Sequence, residues 1–212
     1  MIRLGLLGGS FDPVHVAHLT LARCALEQLA LEEVWLVPAA TAPHKRSRRQ
    51  ASIEHRIAML ELAVADQPGL SVSRIEADAG GVTYTANTLR RLRRDQPERE
   101  LFFLVGADML HDLPNWREPE EICRLATICA VRRPGSGEPD FHVLRGLAPP
   151  GRIERFRRHQ VEMPPMDVSS TGARKRAAEG RDLEGLTPPP VARYIARHGL
   201  YRDASRDGWE DG

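Results

Sequence analysis

Apolar residues fall along this chain in two rhythms. Short unbroken runs recur: LGLL (4–7), VWLVP (34–38), LSVSRI (70–75), LFFLVG (101–106), TICAV (127–131) and a weaker HQVEM (159–163). Runs of that length without clean polar alternation predict strands covered on both faces. Between them the apolar positions space at three and four. Leu19, Ala22, Leu26 and Leu29 mark one face over 16–30, and Ile53, Ile57, Leu60 and Val64 do the same over 53–65. Shorter helices are predicted over 85–94 and 119–125.

Strand and helix in alternation predict an α/β fold, a Rossmann-like doubly wound parallel sheet with right-handed crossovers. Past about residue 134 the rhythm loosens. PGSGEPD reads as loop, and PGRIERFRR (150–158) as a basic, turn-rich stretch. Helical pattern returns from Ser169, with TPPP before a last helix in VARYIARHGL. The expectation is a single domain over 1–201 with a small helical part at about 167–201, then a polar, mobile tail at 202–212. Sheets of this class bind ligands beyond the carboxyl ends of their strands, where strand order reverses. The stretches to inspect are therefore GGSFDP after the first strand and GADMLHD after the fourth.

Composition narrows the partners. In 212 residues the net charge is +1 and 42% are hydrophobic. That is enough apolar material for a core, without the basic surplus of a general nucleic-acid binder. Cys24, Cys123 and Cys129 lie in apolar contexts and form no C-x-x-C pair, which predicts free thiols in a reducing compartment and no metal site. Neither a cleavable leader pattern nor an apolar stretch long enough to span a bilayer is visible. A cytoplasmic protein without membrane partners is expected.

One stretch carries chemistry: GGSFDPVHVAH. Gly8 and Gly9 lack a Cβ, so they can adopt unusual backbone angles and let a ligand approach the main chain. Asp12 and Pro13 give a helix-start signal, a capping side chain before a residue of preset φ. His15 and His18 would then share a face of the first turn. First-turn N–H groups and the positive helix end favour an anion there, and imidazoles can donate to oxygens on which charge develops. The stretch reads as a phosphate-handling turn. For any one histidine a structural role is the alternative, and a zinc site is disfavoured because nothing else has ligand spacing.

GGSFDPVHVAH resembles the signature of the nucleotidyltransferase α/β-phosphodiesterase superfamily, whose H-x-x-H element handles nucleoside triphosphates. PHK (43–45), GADMLHDLPNW (106–116), DVSSTGAR (167–174) and PPPVARYIARHGLY (188–201) are each similar to bacterial nicotinate mononucleotide adenylyltransferases. These matches run in order over nearly the whole chain. The resemblance implies ATP as co-substrate, held by Gly8, Gly9, Ser10, Phe11, Gly106, Asp108, Ser169, Ser170, Thr171 and Arg174. It implies that His44, Lys45, Tyr84, Thr85, Trp116 and, more weakly, Arg133 bind nicotinate mononucleotide. His15, His18, Lys45 and Arg174 are then the catalytic set, with Trp116 stacking on the nicotinate ring. Gly172 departs from the pattern, since a side-chain-bearing residue is commoner there.

The implied reaction joins ATP and nicotinate mononucleotide into the deamido dinucleotide with release of pyrophosphate. The attacking phosphate is already anionic, which agrees with the absence of a G-x-S-x-G nucleophile motif. Mg²⁺ would arrive with ATP, because the chain has no acidic cluster to cage it. Two other readings share the opening turn: a phosphopantetheine adenylyltransferase, which lacks the Trp116 loop, and a catalytically silent nucleotide-binding module. A homo-oligomer is compatible with the sequence.

Overall fold

The computed structural model describes residues 2–40, 50–132 and 137–202. Among them, six strands form one sheet: β1 (Ile2–Gly9), β2 (Glu33–Pro38), β3 (Leu70–Val72), β4 (Arg99–Gly106), β5 (Thr127–Arg132) and β6 (Val161–Glu162). The order is β3-β2-β1-β4-β5-β6, and every pairing is parallel. The order reverses between β1 and β4, so the loops leaving Gly9 and Gly106 start side by side, with Leu7 opposite Leu104. This is the expected doubly wound α/β architecture.

Helices cover both faces: α1 (Val16–Gln28), α2 (Ile53–Val64), α3 (Thr85–Asp95), α4 (Ala107–Asp112), α5 (Pro119–Leu125), α6 (Pro150–Arg158), α7 (Ser170–Ala178) and α8 (Pro189–Arg197). The strands feed two cores by simple alternation. Leu101, Phe103 and Val105 pack with Leu89 and Leu92 of α3 and Ile122 of α5. Phe102 and Leu104 point the other way, onto Leu21 and Ala25 of α1, Leu60 of α2 and Ile195 of α8. Both faces being buried explains the unbroken apolar runs. Phe102 is fully buried, and truncating it to alanine would cost about 3–5 kcal/mol.

Three expectations need correction. The segment 150–158 is helix α6, not turns: Pro150 occupies the first helical position, and Ile153 and Phe156, three apart, supply its buried stripe. The third run is strand only over Leu70–Val72; Ser73 N–H still donates to the Leu36 carbonyl of β2 at 3.0 Å, and the chain turns into a loop after it. Asp12 and Pro13 do not start a helix. α1 begins at Val16 with His15 as its N-cap, and Asp12 is drawn inward to 4% exposure.

Candidate active site

β1 runs through Gly8 and Gly9, and neither has a positive φ. Space is tight at Gly9 alone, since a Cβ on Gly8 would come no nearer than 4.0 Å to Phe103. A Cβ on Gly9 would stand 3.2 Å from the Phe11 ring, which folds back beneath the strand end. The left-handed conformation falls on Phe11 itself, φ 47°, costing about 1–2 kcal/mol that its full burial offsets. Phe11 in turn meets the His18 ring edge-on, centroids 4.9 Å apart.

His15 and His18 come together as expected, though by capping rather than as two residues of one turn. His18 Nδ1 accepts the backbone N–H of His15 at 3.2 Å, and the two rings stack at 3.6 Å and 19°. An accepting Nδ1 makes Nε2 the donor nitrogen of a neutral His18. Phe11, Asp12 and His15 are buried, so the turn is rigidly seated.

The α7 start docks on this turn from 157 residues away. Ser169 is the N-cap, its Oγ accepting from Gly172 N–H at 3.1 Å. The Ser170 hydroxyl donates to the Pro13 carbonyl at 2.9 Å. Arg174 donates to the Asp12 carbonyl at 2.6 Å and to Thr171 Oγ1 at 3.2 Å. A Cβ on Gly172 would lie 3.3 Å from the capping Ser169 Oγ, so this glycine relieves crowding at the cap. Two helix starts and a guanidinium therefore converge within one pocket of chain, an arrangement suited to several phosphate oxygens.

Across the strand reversal, Gly106 caps α4. A Cβ there would fall 2.5 Å from Asp108 Oδ1, so only glycine leaves that carboxylate its place. Asp108 is exposed in the first turn of α4. Trp116 is half-buried, its ring edge-on to Phe103 and its indole N–H donating to Asp112 at 3.2 Å. The neighbouring Arg117 covers the Tyr84 ring at 4.6 Å, which joins the Trp116 turn to Tyr84, the N-cap of α3, and Thr85, its first residue. His44, Lys45 and Arg133 lie outside the described residues.

Three residues of this region, Tyr201, Arg56 and Glu76, escaped the sequence reading, and a fourth, Asp12, was read as a helix cap. Asp12 Oδ1 accepts from Ala51 N–H at 3.1 Å and from the Tyr201 hydroxyl at 2.7 Å. Burial and Asp12 raise the Tyr201 phenol, which therefore stays a donor. Arg56 is 2% exposed and, among the described residues, donates to four main-chain carbonyls. Burial lowers its affinity for the proton while the Asp12 carboxylate opposes that shift. Glu76 accepts from the Thr83 and Thr88 hydroxyls, each at 2.9 Å, and burial raises its carboxyl above the usual range. For Arg56 a signal existed: it sits three residues after Ile53, on the apolar face of α2.

Among the described residues no group of three or more His, Cys, Asp or Glu side chains is placed to hold a metal ion. None of their helices is long and apolar enough to cross a membrane. Cys123 and Cys129 are buried free thiols and Cys24 is half-buried; burial pushes the Cys123 thiol up to about 11.

A parallel sheet whose strand order reverses between β1 and β4 defines a doubly wound α/β protein. Residues 6–176 match the cytidylyltransferase-like family, and the chain belongs to it. A Rhodopirellula baltica protein described as "Probable nicotinate-nucleotide adenylyltransferase" is 43% identical over 199 residues, 94% of this chain and 93% of that protein. A Bordetella avium protein of the same description is 44% identical over 205 residues, 96% and 100% of the two chains. In fold, the chain is similar to Plasmodium falciparum nicotinic acid mononucleotide adenylyltransferase, solved with NaAD. The TM-score is 0.72 at 20% identity, covering 95% of this chain and 98% of that one.

Proposed function

We propose that this chain is a nicotinate-nucleotide adenylyltransferase, joining ATP to nicotinate mononucleotide with release of pyrophosphate. The observation that carries the reading is full-length similarity to relatives so described, above 40% identity. The convergence of the His15–His18 turn with the start of α7 supports it.

The mononucleotide's 5′-phosphate attacks the α-phosphorus of ATP in line, and the bond from that phosphorus to the α,β-bridging oxygen breaks as pyrophosphate departs. An anionic nucleophile needs no general base. Catalysis then rests on alignment and on neutralising charge at the α-phosphate and the leaving group. His18, as a preset N–H donor, serves the α-phosphate. His15, the amides after Gly8 and Gly9, and the turn of Ser10 and Phe11 line the triphosphate. Ser169, Ser170, Thr171 and Arg174 hold its β and γ oxygens. Lys45, with His44, supplies positive charge at the acceptor phosphate, and Arg133 lies on the same nucleotide. Gly106 and Asp108 hold the adenosine, the carboxylate accepting from ribose hydroxyls. Trp116 stacks on the pyridine ring, whose carboxylate meets the first N–H groups of α3 at Tyr84 and Thr85. Mg²⁺ would arrive coordinated to ATP and would supply further charge neutralisation at the phosphates.

Pyrophosphate release from Mg·ATP, measured with nicotinate mononucleotide, nicotinamide mononucleotide or phosphopantetheine as acceptor, tests the reading. Fast turnover with the acid and slow turnover with the amide is expected. Preference for phosphopantetheine, or no release with any acceptor, overturns it.

A further inference from the structure

Arg56 holds four carbonyls with one buried cation. Its Nε donates to Ala51 at 3.1 Å, Nη1 to Ser10 at 2.8 Å and Ala39 at 2.9 Å, and Nη2 to Ala40 at 3.4 Å. These oxygens belong to three separate stretches: the exit of β1, the exit of β2 and the entry to α2. Beside it, the Asp12 carboxylate is fixed by Ala51 N–H and by the Tyr201 hydroxyl, which arrives from 189 residues away. The turn Ser10–Asp12 is thus gripped from behind at its first carbonyl and at its last side chain.

A guanidinium buried to 2% exposure is an expensive choice if the aim is stability, because an apolar residue of like volume fills space without desolvating a charge. What the guanidinium supplies is geometry. Its planar fork fixes oxygens from three segments relative to one another, which a lysine ammonium on a flexible stem does not. We propose that Arg56 is a positioning residue for nucleotidyl transfer: with Tyr201 behind Asp12, it sets the Ser10–Asp12 turn so that Gly9, His15 and His18 meet the phosphates in one fixed arrangement. The inference rests on the adenylyltransferase reading and adds to it a residue that touches no substrate.

The test compares Arg56→Lys and Tyr201→Phe with the unaltered chain, measuring kcat and each KM for pyrophosphate release well below the melting transitions. Arg56→Lys should lower kcat about tenfold or more while both KM values stay within about threefold, since small misplacement of aligned groups strikes the reacting geometry. Tyr201→Phe removes one hydroxyl from an intact ring and should show the same split, a few-fold in kcat. Guanidinium ion added at sub-denaturing concentration to Arg56→Ala should restore part of kcat, and ammonium should not. The amide resonances of Gly9, Phe11 and His18 should shift in Arg56→Lys without any substrate.

If both variants melt lower yet keep kcat within about twofold, with those resonances unmoved, the residues serve stability alone and the proposal falls. Should Arg56→Lys fail to fold, Tyr201→Phe decides by the same readouts. An inactive unaltered chain would overturn the adenylyltransferase reading instead, and the amide shifts would still judge the positioning role.

Discussion

The two ends of the proposed site are built differently. At the end assigned to the triphosphate Phe11, Asp12 and His15 are buried, and their neighbours reach them through main-chain groups: Ser170 to Pro13, Arg174 to Asp12, Arg56 to Ser10. At the end assigned to the acceptor Tyr84 and Trp116 are half-buried, and the contacts run between side chains, Arg117 over Tyr84 and Trp116 onto Asp112. Main-chain anchoring suits donors that must stand in place before charge develops, because reorganisation at the moment of reaction would forfeit their benefit. Side-chain contacts at half-exposed positions suit recognition of a flat ring, which can tighten as it binds. The contrast implies that damage at the first end shows in kcat and damage at the second in KM.

The largest effect should come from His18→Ala. Turnover is expected to fall by roughly 10²-fold or more, the usual loss for one transition-state donor, while the chain stays folded. Loss of the bond between His18 Nδ1 and the His15 N–H should cost about 1 kcal/mol of stability, readable as a small drop in melting temperature. Activity within a few-fold of the original would remove His18 from the catalytic set.

Trp116→Ala should act on the other side of the contrast. The KM for nicotinate mononucleotide is expected to rise by a few-fold to about tenfold, matching the ~0.5–1.5 kcal/mol of an aromatic pair, with the KM for ATP unchanged. A drop confined to kcat would break the proposed division of labour.

The smallest effect concerns pH. Glu76 ties Thr83 and Thr88 around the α3 start, and burial raises its folded-state pKa above that of an unfolded chain. A group raised in this way binds its proton more tightly in the folded state. Its ionisation penalty is absent below the usual carboxylate range and fully present above the raised value, so stability falls as pH climbs between the two. Glu76→Gln should flatten the melting temperature over that window. An unchanged slope would show that Glu76 does not govern it.

Much of this was legible because it is written between neighbours in the chain. Strand and helix periods over 4–7, 16–30, 53–65 and 101–106 predict elements that the structure contains, with boundaries shifted by a few residues. Ser169 is legible as a cap for the same reason, its acceptor serving an N–H three residues on. The helix at 150–158 was missed because only Ile153 and Phe156 mark its buried side among charged residues.

The sequence alone determined the alternation of strand and helix through β5, the doubly wound class and the position of the His15–His18 motif after β1, since periodicity and a contiguous motif are short-range properties. The roles of Asp12, Arg56 and Tyr201 were decided only by tertiary structure. A buried polar group takes its meaning from the partners that satisfy it, and here those partners come from segments up to 189 residues apart, brought together by the crossing of β1, α2 and the end of α8.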